Sequence, residues 1–307
     1  LYNPGGGNET NAWTVVISSA DKTGSTAANL NTINSATSVA VDLTEVTALA
    51  ASDISDLATL NTNKDGLSNR GNLASITLTD NGGGGLSDVD FGALADVVDD
   101  SQTNFKNTVT FKFQAGDTID IDDSTELGKF VTDIGSNALT LTDQKVTVDS
   151  GTKISVSNAR SIANDTTGTV TASIDTAARV SALTTLYNPG GGNETNAWTV
   201  VISNADKTSS AADLNTINAS TSAEVNAAQV TGISSSAIAD VGTLLTNAVK
   251  DGDPDAREFT AGSFVNLAAV TLSDATIAVG DLNTAISNAN TVATGAVTKF
   301  TVSNGAA

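Results

Sequence analysis

Asp251, Asp253 and Asp255 occupy alternate positions in KDGDPDARE, with Glu258 close behind. Alternate loop carboxylates can converge on one hard cation that takes about six to eight oxygen ligands, so these four are candidate calcium ligands. A second acidic run, GDTIDIDD, supplies Asp117, Asp120 and Asp122 as a further candidate set, followed by Asp123. Side chains alternate faces along a strand, so Asp120 and Asp122 share one face, and Asp117 joins them only through a bend. The stretch NTNKDGLSNRGN offers Asn61, Asn63 and Asp65 ahead of Gly66, which is the opening pattern of an EF-hand loop. Asn72 stands where that loop closes on a carboxylate, so the pattern is incomplete. The glycine-rich nonapeptides of calcium-stacked β-rolls are absent, which argues against folding driven throughout by calcium. The competing reading of each acidic turn is solvated charge.

Other chemistry finds fewer residues to carry it. Cysteine, histidine and methionine do not occur. Disulfides, thiolate sites and imidazole ligands for zinc or haem are therefore excluded. The glycine runs NPGGGNET (residues 3–10 and 188–195) and NGGGGLSD (residues 81–88) match neither the P-loop nor the dinucleotide fingerprint, and read as turns. Sugar clefts need aromatic platforms, and the candidates are Tyr2, Trp13, Tyr187 and Trp198. They fall at matched positions of a repeat, which favours packing. Threonine pairs such as Thr77 with Thr79, Thr140 with Thr142 and Thr169 with Thr171 are too irregularly spaced for a flat ice-binding face. No catalytic set emerges, and the chain reads as not an enzyme.

The elements that would position these residues follow from repetition. LYNPGGGNETNAWTVVIS recurs letter for letter at residues 1–18 and 186–203. The likeness continues more loosely from SADKTGSTAANLNTINSATSVAV to NADKTSSAADLNTINASTSAEV, and fades after NLASITLTD and NLAAVTLSD. Residues 1–185 thus read as one complete module, and 186–307 as a second, partial one. Repetition on this scale points to an array built by duplication. With no methionine and with Leu1 inside the repeat, the chain reads as a window cut from something longer.

A finer rhythm runs inside the module. SITLTDNG, ALTLTDQK, KISVSNAR, TVTASIDT, AVTLSDAT and FTVSNGAA alternate apolar and small polar residues, the period of a half-buried strand. Between such runs lie short helical patterns: AANLNTIN (27–34), SDISDLATL (52–60, with Ser52 as the expected N-cap), STELGKFVTDIG (124–135), SNARSIAND (157–165), TAARVSALTTL (176–186) and GDLNTAISNA (280–289). Each is too short to be stable alone and must pack on the strands. Successive strands start about 15 to 30 residues apart, one coil of a solenoid. Residues 81–123 break the rhythm and read as an inserted hairpin or a cap.

The expected fold is therefore a β-rich α/β repeat solenoid, with a short strand and a short helix per coil. The alternative is a string of small Ig-like β-sandwich domains. Hydrophobic residues are 39% of the 307-residue chain but aromatics only 4%, which suits a thin core repeated many times. The formal charge is −20, from 14 basic and 34 acidic residues, so nucleic acid is excluded as a partner. No apolar run approaches the ~18–20 residues of a membrane helix.

LNTINSATSVAV, LNTINASTSAEV, NDTTGTVTASIDTAARVSALTTL and the NAWTV start resemble the tandem repeats of giant cyanobacterial and other bacterial cell-surface proteins, including the swimming-motility surface protein of marine Synechococcus. That resemblance implies a structural role outside the cell, in a surface layer, filament or stalk, with adjacent modules or subunits as partners. The alternative it leaves open is an adhesin that binds surface polysaccharide or another cell, aided by calcium. It carries no catalytic residue.

Overall fold

The computed structural model describes residues 11–79, 89–105, 109–113, 116–186, 196–249, 259–274, 276–293 and 297–302. The chain divides into two units, Leu1–Asp149 with Asp165–Gly168, and Ser150–Asn164 with Thr169–Ala307. The fold class is mixed α/β with several parallel sheets.

In the first unit the order is α1 (Ala27–Ser35), β1 (Val41–Asp42), β2 (Ala48–Asp53), α2 (Ile54–Thr62), β3 (Leu67–Ser68), β4 (Ser75–Thr79), β5 (Val89–Asp90), α3 (Phe91–Asn104), β6 (Thr110–Lys112), β7 (Thr118–Ile121), α4 (Ser124–Gly135), β8 (Leu139–Thr140) and β9 (Lys145–Val148). Strand β1 pairs with β3, β2–β4–β6–β8 form one ladder and β5–β7–β9 another, all parallel. Parallel neighbours need a crossover of about a dozen residues or more, and the helices supply it. The strands bury alternate residues: Ile76 and Leu78 of β4 are sealed while Ser75, Thr77 and Thr79 are half-buried. Consecutive helices pack on one another, α1 on α2, α2 on α3 and α3 on α4. Phe91 of α3 and Phe130 of α4 meet edge to face, centroids 5.0 Å apart.

The second unit contains β10 (Lys153–Ile154), β11 (Val170–Ile174), α6 (Val180–Leu183), β12 (Ala197–Val201), β13 (Thr208–Ser209), α7 (Ala211–Ala219), β14 (Val225–Asn226), β15 (Gly232–Ser236), α8 (Ile238–Val249), β16 (Ala269–Leu272), α9 (Val279–Val292) and β17 (Lys299–Val302), with α5 (Val156–Asp165) following β10. Strands β10, β11, β12 and β14 pair in that order and β13, β15, β16 and β17 form a second ladder, again all parallel. Helices α6 to α9 pack in sequence.

At matched positions of the two sequence copies the same local devices recur. The β2–β4 register shifts between Leu49 and Ser52, and the β15–β16 register shifts between Ile233 and Ser236. A bulge re-aims the following side chain. Here it turns Ser52 and Ser236 inward, where each hydroxyl accepts the first N–H of the preceding helix, Ala27 N of α1 and Ala211 N of α7, both at 2.9 Å. Each then donates to the carbonyl two residues back, Ala50 at 2.7 Å and Ser234 at 2.8 Å. Asn31 Nδ2 reaches the Asp56 carbonyl at 2.8 Å, and Asn215 Nδ2 reaches that of Asp240 at 2.9 Å. The carbonyl of Lys22 takes Thr47 N and Ala48 N, as that of Lys207 takes Thr231 N and Gly232 N.

Several expectations are corrected. An Ig-like sandwich is antiparallel, whereas every strand pair described is parallel and helices separate the strands. Residues 81–123 hold no hairpin among the described positions: β6 lies between β4 and β8, and β7 between β5 and β9. Ser52 does not cap α2. Asp53 does, accepting Ser55 N at 2.7 Å, because the Ser52 hydroxyl is committed to Ala27 N at the start of α1. The expected helix over 176–186 is confined to Val180–Leu183. Helices α3 and α8 stand where the sequence pattern names no helix, although Val241, Leu244 and Leu245 follow helical spacing and are fully buried.

Candidate functional site

The segment 11–21 recurs at 196–206, and β12 shows how its contacts with neighbouring strands are built. Alanine, tryptophan, threonine and two valines alternate in size and polarity. Trp198, Val200 and Ile202 therefore face the core, at 1%, 1% and 0% exposure, while Thr199 faces water. On one side β11 supplies the register Thr171 to Ala197, Ala172 to Trp198 and Ser173 to Thr199. The small Ala172 next to the largest side chain of the chain lets the two strands pack without overfilling the layer. On the other side Val200 and Val201 pair with Val225 and Asn226 of β14.

Polar groups fix this register at both ends of the strand. Asn196 is buried; its Oδ1 accepts Val170 N at 2.8 Å, and its carbonyl accepts Ser222 N at 2.9 Å. One residue thereby ties β11 to the turn that follows α7. Past the strand, Asp206 Oδ2 accepts Val180 N at 3.0 Å, at the start of α6, satisfying a donor that the helix leaves open. Arg179 Nε lies 3.6 Å from Asp206 Oδ1 with its side chain 58% exposed, so that ion pair contributes less than the hydrogen bond beside it.

In the first copy the same letters have, among the described residues, a strand neighbour on one side only. Asn11 and Val16 form isolated bridges to Thr37 and Asp42, and Ile17 N donates to the Asp42 carbonyl at 3.0 Å. Thr37 Oγ1 donates to the Trp13 carbonyl at 2.7 Å, as Thr221 Oγ1 does to that of Trp198 at 2.8 Å. Among the described residues no strand pairs on the opposite side. Trp13 and Asn11 are half-buried, Val16 is 57% exposed, and Asp21, the counterpart of Asp206, is exposed and accepts Ser18 Oγ at 2.9 Å.

The acidic sets fare differently. Asp251, Asp253, Asp255 and Glu258 lie outside the described residues, as do the glycine runs, Tyr2 and Tyr187. Asp117 is buried at the turn before β7, Asp120 is half-buried within β7, and Asp122 is exposed beyond it. The structure does not gather them: among the described residues no three acidic groups stand together to hold a metal ion. Their neighbourhood serves helix α4 instead. Asp123 caps it, accepting Thr125 N at 2.6 Å and Glu126 N at 2.9 Å, and Glu126 reaches back to Asp122 N at 2.9 Å. The hydrogen bonds from Glu126 N and Thr125 N hold the Asp123 carboxyl below its ordinary range.

One carboxylate outside both sets is unusual. Asp133 of α4 is 8% exposed, lines a cavity of about 450 Å3 with Gln102, Thr110 and Asn137, and its Oδ2 has no hydrogen-bond partner among the described residues. Burial, with the Asp99 carboxylate adding to it and Lys129 opposing, pushes its pKa up to about 6. No acidic or basic spacing in the sequence singles it out; its isolation follows from the packing of α3 and α4. No helix among the described residues is long and apolar enough to cross a membrane. Compared with known proteins, the chain matches no family model, no curated protein and no solved structure.

Proposed function

We propose that the chain is a structural segment of a large secreted protein of the cell surface or extracellular matrix, in which coils of strand and short helix stack as an α/β solenoid and modules follow one another in a filament or layer. The observation that carries this reading is the recurrence of one set of inter-coil contacts at matched positions of two sequence copies: the bulge with its inward serine, the asparagine between helices, and the lysine carbonyl shared by two N–H groups. Contacts limited to neighbouring coils let length grow by duplication without redesigning a core. The net charge of −20 suits a surface that stays solvated at high local density. The partners in this reading are other modules of the same kind, and the role is mechanical rather than catalytic. Small-angle X-ray scattering of the recombinant chain tests it. A rod-like profile, with a cross-section that stays constant when a further module is added, is the expected result. A compact particle whose cross-section grows with each module would overturn it.

A further inference from the structure

The edge at residues 11–21 has everything that holds β11 and α6 in the second copy. Asn11 stands for Asn196, Trp13 for Trp198, Val15 for Val200 and Asp21 for Asp206. In the second copy these groups receive a coil made by residues 169–185: Val170 N on Asn196 Oδ1, Ala172 beside Trp198, Val180 N on Asp206 Oδ2 and Arg179 at its rim. In the first copy they are half-buried or exposed, and among the described residues no strand pairs on that side. The residues that follow Thr185, from Leu186 onward, are the same letters that open the chain at Leu1. A coil ending in Thr185 would therefore meet Leu1 through a junction already present in this protein.

We propose that the face formed by Asn11, Trp13, Val15 and Asp21 is a module-docking surface, and that its occupant is a second copy of the coil at residues 169–185 carried by a preceding module. This deepens the structural reading above and rests on it. The register is that of β11 on β12: the alanine at 172 falls opposite Trp13, the residues at 171 and 173 opposite Ala12 and Thr14, and the N–H at 180 on Asp21. Parallel strand addition of this kind gives affinity through main-chain hydrogen bonds and specificity through the alternate side chains.

The test is the full chain extended at Leu1 by a second copy of residues 150–185. Hydrogen exchange is read on peptides that begin in residues 1–18 and run past Ser19, where the two sequence copies differ. A second readout is iodide quenching of Trp13 in a W198F background. Docking predicts that amides at 12–16 slow by tenfold or more in the extended chain, and that quenching of Trp13 falls to the level Trp198 shows in a W13F background. It also predicts that D21N lowers the melting temperature of the extended chain while leaving that of the original unchanged. Placing V170D and A172D in the added copy alone must abolish all three effects. An added copy that leaves exchange at 12–16 and quenching of Trp13 unaltered overturns the proposal. So does protection that survives the aspartate pair, or that appears only as the extended chain dimerises. The scattering profile of the unextended chain decides the broader structural reading separately.

Discussion

Residues 11–18 and 196–203 are the same eight letters in two settings. In the second copy they form β12, sealed between β11 and β14, with Trp198 at 1% exposure. In the first, among the described residues, they bridge only to Thr37 and Asp42, and Val16 stands 57% exposed. Alternation and β-branching are identical, so local preference cannot account for the difference. What differs is the neighbour. A strand in a parallel ladder is completed by partners on both sides, and its propensity mostly records how well it packs against them. Folding information for a strand is thus shared with the strands beside it.

The largest test of this comparison is truncation of the two tryptophans. Trp198→Ala should cost about 3–5 kcal/mol, since it empties a sealed site next to Ala172. Trp13→Ala should cost about 1 kcal/mol, because a half-buried ring gives up much less apolar contact. Urea titrations followed by far-UV circular dichroism would measure both. Equal losses would show that the first copy is packed as fully as the second, and the contrast would collapse.

The serines at the bulges test the opposite claim, that the copies are alike away from the edge. Ser52→Ala and Ser236→Ala each leave a buried helix N–H, that of Ala27 or Ala211, without its acceptor. Each should cost about 1–3 kcal/mol, and the two losses should agree within error. A serine that could be replaced at no cost in one copy would mean that the matched bond does not hold both copies equally.

How much of this was legible in advance depends on where each signal comes from. Runs such as SITLT and VTASI name their strands because alternation is local, and STELGKFVTDIG names α4 to the residue because its cap and apolar stripe are both local. Ser52 misleads for the converse reason: a serine just before a helix is a good cap, but this one is spent on a residue 25 positions back. The parallel pairing that excludes a sandwich is invisible in any single strand. The candidate calcium set at Asp117, Asp120 and Asp122 rests on spacing alone, and burial separates its first member from its last. Asp133 could not be found at all, since nothing but the packing of two helices distinguishes it from other acids of the chain.

That carboxylate gives the comparison a pH axis. A folded pKa of about 6 lies above the ordinary value of 3.8, so the folded chain holds this proton more tightly than the unfolded chain does. Stability tied to Asp133 is therefore greatest below the unfolded value and declines as pH rises through about 6. Asp133→Asn should raise stability by about 1–2 kcal/mol at pH 7, with the gain vanishing near pH 4. Thermal melts across that range would check it. A gain independent of pH would assign the effect to packing instead.

The smallest expected effect compares an acid with the amide that replaces it in the other copy. Asp42 Oδ1 accepts from Thr44 Oγ1 at 2.7 Å, from Asn69 Nδ2 at 2.9 Å and from Thr44 N at 2.9 Å. The hydroxyl first, then the amide and the backbone N–H, hold this carboxyl below its ordinary range. The second copy places Asn226 here, and among the described residues its Oδ1 keeps the backbone bond alone, from Ala228 N at 3.0 Å. A lowered pKa means that the stabilisation is complete above the unfolded value and is lost as pH falls through the folded one. Asp42→Asn should therefore weaken the chain slightly at neutral pH, and the two should converge in acid. The reciprocal Asn226→Asp lacks the threonine hydroxyl, because Ala228 stands in its place, and should add less acid sensitivity than Asp42 confers. Melting curves of both variants between pH 2 and pH 7 decide this. Equal acid dependence at the two positions would show that the turn itself, rather than the hydroxyl at 44, sets the charge preference, and the two turns would then be equivalent despite their different letters.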